Sequence, residues 1–254
     1  MDRGGALDSQ AVVISVFRQF RPELLSVFGN SEFTRKQNSS QVTEWDVMLE
    51  ERLRFTLEKQ FPDYGFEGEE TGIHGNRDHY WLVDPIDGTS SFIRGLPFAT
   101  NMAAFVEHGE VIASVIYDFV LDDIYTAVKG EGAYKNGQPI HINADRRAGN
   151  LLLYSFTRQQ FPLYREALSE LGMRTVLPVG AAGHTYTLLA EGKIDGIIAL
   201  HTRMGFYDNA AGVLLAEEAG AQLLQYDDKT GVERHEFIIG TPYVVEKIER
   251  SGLI

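Results

Sequence analysis

Asp84-Pro85-Ile86-Asp87-Gly88-Thr89 sets two carboxylates three positions apart around a proline, directly after the apolar run Tyr80-Trp81-Leu82-Val83. A strand that ends in paired carboxylates and turns through glycine can hold hard cations, which take oxygen ligands. The Ile86 carbonyl, between the two, is a further oxygen. Gly88 lets the backbone come close to a ligand, and Thr89 would open a short helix whose free N–H groups favour a phosphate oxygen. The same hexapeptide also has the residues that a plain β-turn prefers. Upstream, Gly68-Glu69-Glu70-Thr71 is a second acidic turn. It is either simply solvated or has Glu69 bridging a cation and orienting a water. Downstream, Tyr207-Asp208-Asn209-Ala210-Ala211-Gly212 puts a lone aspartate at what reads as a helix start. Asp208 either caps the Asn209–Ala219 helix or supplies a third anchor. Together the three acidic segments suggest one divalent-metal site that hydrolyses a phosphate ester.

Composition narrows the setting. A chain of 254 residues makes one large domain or two closely packed ones, and 44% hydrophobic with 23% charged residues is ordinary for a globular protein. No apolar run approaches the roughly 20 residues that span a bilayer. Met1-Asp2-Arg3-Gly4-Gly5 lacks the layout of a signal peptide, so a cytoplasmic location is expected. The absence of cysteine excludes disulfides, thiolate zinc sites and cysteine nucleophiles. A net charge of -13 argues against nucleic-acid backbone binding. It also means that an anionic substrate needs local positive charge, which metal ions supply.

The elements that must position these residues follow from periodicity. Leu7 to Phe28 reads as a helix capped by Asp8 or Ser9, with Pro22 kinking it or starting a second segment. Phe33 to Thr43 reads as a loose hairpin. Asp46 looks like the cap of a helix carrying Met48, Leu49, Leu53, Leu57 and Phe61 on one face, stopped by Pro62. Strands are predicted at 80–84, 101–107, 111–118 and 124–129, and Asn136-Gly137 marks a tight turn. Residues 1–145 therefore read as an α+β half with an antiparallel sheet. From 146 to 254 strands and helices alternate, which implies a layered α/β half. Strands are expected at 151–154, 174–177, 194–200 and 221–224, with helices at 161–171, 181–190 and 208–219.

Gly68-Glu69-Glu70, then Asp84-Pro85-Ile86-Asp87-Gly88-Thr89, then Asp208-x-Ala210-Ala211-Gly212, resemble in order and spacing the signature set of the inositol monophosphatase family. That family belongs to the Mg²⁺-dependent, lithium-sensitive phosphatases. Val42-Thr43-x-x-Asp46 and Asn136-Gly137 agree with it. The resemblance implies an α/β fold, a layered αβαβα sandwich with its site between the two halves. It implies that Glu69, Asp84, Asp87, Asp208 and the Ile86 carbonyl hold two or three Mg²⁺ ions. Glu69 and Thr89, with Asp46, would position the attacking water, and the Gly88 and Thr89 amides would hold the phosphate. Asp208 would lie near the ester oxygen, and Gly180-Ala181-Ala182 would line the sugar pocket. The reaction implied is in-line attack by a metal-activated water on a small sugar or polyol phosphate, in a homodimer; the charge and the lack of a spanning apolar run add the expectation of no nucleic-acid and no membrane partner.

Three features depart from the family pattern. Gln41 stands before Val42-Thr43 where the family often has aspartate. Tyr207 stands where the family usually has tryptophan. The stretch before it, His201-Thr202-Arg203-Met204-Gly205-Phe206, offers no glutamate for sugar hydroxyls but does offer His201 and Arg203. Arg203 suits a second phosphate, and Arg94, Arg158 and His184 are further candidates. Fructose-1,6-bisphosphate, histidinol phosphate and a nucleotide 3′-phosphate therefore stand as alternative substrates. A non-catalytic, metal-binding regulatory protein is the alternative of another class.

Overall fold

The structure, a computed structural model, describes residues 3–36, 41–143, 151–155, 166, 168–176, 180–200, 205–225 and 236–251. It is a mixed α/β molecule built in five layers. The outermost layer pairs α1 (Arg3–Val27) with α2 (Glu44–Gln60). Beneath lies an eight-stranded sheet of β3 (Gly65–Gly68), β4 (Gly72–His74), β5 (His79–Asp87), β6 (Thr100–Glu107), β7 (Glu110–Asp118), β8 (Asp123–Val128), β9 (Gly132–Lys135) and β10 (Gln138–Ile140). Its strand order is 10-9-8-7-6-5-3-4. The middle layer holds α4 (Ala182–Ala190) and α5 (Phe206–Glu218), which follow the short α3 (Thr89–Arg94) in the chain. A five-stranded sheet comes next: β11 (Leu151–Ser155), β12 (Arg174–Val176), β13 (Gly196–Ala199), β14 (Gln222–Gln225) and β15 (Phe237–Gly240), in the order 12-11-13-15-14. α6 (Pro242–Ser251) closes the far side. A two-stranded ribbon, β1 (Thr34–Arg35) with β2 (Gln41–Val42), stands apart.

Alternation builds the layers, because successive strand residues face opposite ways. On β5, Trp81 and Val83 join the core under α1 and α2, whereas Tyr80 and Leu82 join the core under α4 and α5. On β13, Ile197 faces that middle core and Ile198 faces α6. The large sheet is antiparallel except where β3 runs parallel to β5. The second sheet mixes parallel and antiparallel pairs. Among the described residues no helix is long and apolar enough to cross a membrane.

Several local readings need correcting. α1 begins at Arg3, so Asp8 and Ser9 lie inside it, and the Ser9 hydroxyl donates back to the Ala6 carbonyl at 3.1 Å. Pro22 lies within the helix and does not divide it. Val16, Phe17, Phe20 and Leu24 are all buried across it, and that packing outweighs a proline cost of about 3 kcal/mol. Thr43, not Asp46, is the N-cap of α2; Asp46 reaches back as the acidic partner of a capping box. Met48 is exposed, outside the buried face of Asp46, Leu49, Glu50, Leu53 and Leu57. The helix expected over 161–171 and the stretch 144–150 lie wholly or mostly outside the described residues.

Candidate metal centre

A β-bulge sets the first two carboxylates. Three residues apart on a regular strand, Asp84 and Asp87 would face opposite sides. The β5–β6 register shifts between Asp84↔Met102 and Asp87↔Thr100. Pro85 lies in the shift. It has no N–H for the ladder, and its carbonyl accepts from Asn101 Nδ2 at 2.5 Å. The shift reverses the alternation, so Ile86 packs with Trp81 and Val83 under α1 and α2. Asp87 is thereby turned to the α4 side, the side of Tyr80, Leu82 and Asp84.

Asp87 then meets the start of α4. Its Oδ1 accepts from the Ala182 N–H at 3.0 Å, and its Oδ2 from the Gly183 N–H at 2.6 Å and the Thr100 hydroxyl at 2.8 Å. A Cβ on Gly183 would sit 2.4 Å from Thr100 Oγ1 and 3.0 Å from Asp87 Oδ2, so this approach needs glycine. Asp208 comes from the first turn of α5, where its Oδ2 accepts from the Gly205 N–H at 2.6 Å. The helix starts at Phe206, two residues before Asp208. Each of Asp84, Asp87 and Asp208 offers an oxygen within 4.8 Å of the others.

The acidic turn after β3 is held from below. Glu50, fully buried on α2, accepts from the Glu70 N–H at 2.8 Å, the Thr71 N–H at 2.8 Å and the Thr71 hydroxyl at 2.7 Å. Lys36 Nζ lies 2.7 Å from Glu69 Oε1 and 2.5 Å from Glu70 Oε1. Glu69 thus stands outside the three-aspartate group and pairs with Lys36, while lining the same cleft. Asp46 Oδ2 accepts from both the Thr43 N–H (2.7 Å) and the Thr43 hydroxyl (2.6 Å). We predict that Glu50→Gln turns an amide NH₂ toward those donors and destabilises the fold by about 2–3 kcal/mol. A shift of the urea midpoint at unchanged slope is the measurement, and an unchanged midpoint rules the clamp out.

The charge distribution invites a cation. Burial pushes the Asp84 carboxyl well up, and the Glu69, Asp87 and Asp208 charges push it further. Burial raises Asp208 to about 7, aided by Asp87 and Glu69 and opposed by the Gly205 N–H. Burial also raises Asp87 to about 6 against the three donors that favour its ionised form. Asp84 Oδ1 is buried without a hydrogen-bond partner. Crowded carboxylates with an orphaned oxygen are costly by themselves and fit a hard cation. All-oxygen donors with no nitrogen or sulfur suit magnesium over zinc.

Asp84, Asp208, Glu69, Ile86, Gly88 and Thr89 line one cleft of about 470 Å³, with Arg35, Gln41, Ser90 and Arg94. The Ile86 carbonyl accepts from the Thr89 hydroxyl at 3.0 Å. Gly88, the N-cap of α3, has φ +81°, and a Cβ there would lie 2.9 Å from Ala181 Cβ. Ala181 packs against Gly88 and the Ala182 N–H reaches Asp87, whereas Gly180 lies against Phe98 and Ser91; none of the three is among the cleft-lining residues. His201, Arg203 and Arg158 lie outside the described residues. His184 turns away, with Nδ1 3.9 Å from Asp118 and its ring against Phe98. Sequence reasoning missed Lys36, Glu50, Thr100 and Gly183. Glu50 alone left a signal, an acid among Leu49, Leu53 and Leu57 on the buried face of α2.

Five α/β layers with a cluster of three aspartates that could hold a metal ion, carried by β5 and the first turn of α5, define the class of protein. Within that class the chain belongs to the inositol monophosphatase family, whose model matches residues 6–251. It is 30% identical to a Nus factor SuhB of Xylella fastidiosa, over 85% of this chain and 82% of that one. It is 31% identical to a histidinol-phosphatase of Chlorobaculum parvum, over 78% and 77%. The solved structure of a Thermotoga maritima IMPase superposes with a TM-score of 0.82 at 25% identity, covering 96% and 98%. The family is one of phosphatases, known as metal-dependent.

Proposed function

We propose that the protein is a Mg²⁺-dependent phosphomonoesterase acting on a small sugar or polyol phosphate. The observation that carries the reading is the convergence of Asp84, Asp87 and Asp208 within 4.8 Å beside Gly88 and Thr89. In this reading Asp84, Asp87, Asp208, Glu69 and the Ile86 carbonyl hold the ions. Magnesium there would offset phosphate charge and ease loss of a proton from water. Glu69 and Thr89 orient the attacking water, with Asp46 behind them. The amides at the start of α3 receive the phosphate, and Asp208 stands near the leaving oxygen. The test is phosphate release from a panel of inositol 1-phosphate, histidinol phosphate, fructose 1,6-bisphosphate and a nucleoside 3′-phosphate, with Mg²⁺ and with chelator. Release that persists in excess chelator refutes the metal requirement. Tight Mg²⁺ binding without release from any ester favours the regulatory reading, which the likeness to a Nus factor SuhB keeps on the table.

Magnesium should also act on stability, in a direction fixed by the carboxylates. Asp46 and Asp208 at about 7 and Asp87 at about 6 lie above the 3.8 of an ordinary aspartate. Between about pH 4 and 7 the metal-free folded chain therefore binds protons that the unfolded chain has lost. Its stability falls as pH rises through that window. Cations compete with those protons, so the gain from Mg²⁺ is largest above pH 7 and shrinks toward pH 5. At Mg²⁺ 100 times its Kd the gain is about 2.7 kcal/mol, or a Tm rise of roughly 5–10 °C for a chain of this size. Thermal melts at pH 8 and pH 5.5 check it; a rise that is larger at pH 5.5 contradicts it.

A further inference from the structure

α4 touches the supports of two of the clustered aspartates. At its start the Ala182 and Gly183 N–H groups hold Asp87. One turn on, on the side of the helix that Ala182 shares, Tyr186 reaches α5. Its hydroxyl donates to Asn209 Oδ1 at 3.0 Å, and Asn209 directly follows Asp208. Asn209 Nδ2 in turn donates to the Gly205 carbonyl at 3.3 Å, while the Gly205 N–H donates to Asp208 Oδ2 at 2.6 Å. A line of bonds therefore joins the helix that holds Asp87 to the turn that holds Asp208.

Packing fixes the tyrosine. Tyr186 and Asn209 are both buried, and the Tyr186 ring belongs to the core between the two sheets. A Cβ on Gly212 would lie 2.0 Å from Tyr186 Cδ2, so the ring rests directly on the backbone of α5. Burial, with the charges of Asp208 and Asp87, pushes the Tyr186 hydroxyl well above the ordinary phenol range, and it stays a donor.

Filling this space does not need a polar pair. Phenylalanine would supply the same ring, and an apolar side chain at 209 would avoid burying an amide, which costs free energy unless its hydrogen bonds are made. A satisfied buried pair instead specifies one arrangement of the elements it joins. Here those elements carry the supports of two proposed magnesium ligands. Magnesium demands near-ideal octahedral oxygens at about 2.1 Å, so the gap between Asp87 and Asp208 must be held closely. Resting on the proposed Mg²⁺-dependent reading, we infer that Tyr186 is a positioning residue for the metal ligands: through Asn209 it locks the start of α5 to α4 and sets the spacing of Asp208 from Asp87.

Tyr186→Phe keeps the ring and removes the bond. Mg²⁺ binding measured by calorimetry should weaken by about 10-fold or more, the usual cost of losing a group that orients a metal ligand. The Mg²⁺ concentration for half-maximal phosphate release should rise in parallel, while kcat at saturating Mg²⁺ stays within about threefold. Asn209→Ala should weaken Mg²⁺ binding to a similar extent. Adding Tyr186→Phe to it should change little more, because residues in one line of bonds are not additive. Ile248→Val, which trims the core under α6, controls for lost stability: its melting temperature falls and its Mg²⁺ affinity holds. An unchanged affinity in Tyr186→Phe overturns the inference. So do fully additive losses in the double variant, or a loss in Ile248→Val as large as that in Tyr186→Phe. The phosphatase reading fails separately. A parent protein that binds Mg²⁺ and releases no phosphate refutes it, and the calorimetric comparison still decides Tyr186; a parent that binds no Mg²⁺ ends both.

Discussion

Asp87→Asn is expected to lower kcat/KM by at least about 10³-fold, some 4 kcal/mol of barrier, and to raise the Mg²⁺ concentration needed for half-activation. Asparagine keeps the volume but has only one acceptor oxygen. Asp87 uses both of its own, one on Ala182 and one on Gly183 and Thr100. One amide NH₂ must then face a backbone N–H, and the side chain turns or leaves a donor unpaired. The ligand charge is lost at the same time.

Without metal, two effects on stability oppose each other. Holding the carboxyl at about 6 instead of 3.8 costs about 3 kcal/mol at pH 8, and asparagine removes that cost. The one donor left unpaired takes back about 1.5–3 kcal/mol. The two nearly cancel, so the metal-free melting temperature should move little while the rise with Mg²⁺ is lost. Phosphate release titrated with Mg²⁺, beside melts with and without it, measures both. A variant that reaches the parent rate at saturating Mg²⁺ removes Asp87 from the cage.

The local parts of this site were legible in the sequence, and the parts made by distant segments were not. Asp84-Pro85-Ile86-Asp87-Gly88-Thr89 announced a carboxylate turn followed by a short helix, because strand end, glycine and helix start are adjacent in the chain. The reversal of facing at Pro85 was hidden, since it depends on register with β6. Ala182 and Gly183 lie 95 and 96 residues from Asp87, and their backbone amides leave no mark in a side-chain pattern. β3 escaped notice because Gly65-Phe66-Glu67-Gly68 is short and framed by glycine, and its partner β5 runs parallel. α6 was readable and unread: Pro242 opens it, Val244, Val245 and Ile248 repeat at helical spacing, and all three are buried.

Thr89→Ala tests the chemistry, as distinct from the cage. Alanine is the best helix former, so α3 should start as before. The Thr89 hydroxyl donates to the Ile86 carbonyl at 3.0 Å, and losing that half-buried bond costs about 1 kcal/mol of stability. No ligand carboxylate is touched, so the Mg²⁺ activation constant should stay within about threefold, under 1 kcal/mol. If the hydroxyl orients the attacking water, kcat should fall by about 10²-fold or more, the usual worth of a positioned proton-handling group. Thr89→Ser, which restores the hydroxyl, should recover most of it. Three results are distinguishable. A parent-like kcat in Thr89→Ala ends the water-positioning role. A fall in kcat together with a large rise in the Mg²⁺ constant means that the hydroxyl acts by aiming the Ile86 carbonyl at the cations. A fall in kcat alone, rescued by serine, leaves water orientation as the role, because the serine and threonine variants share that oxygen and differ only in a methyl group.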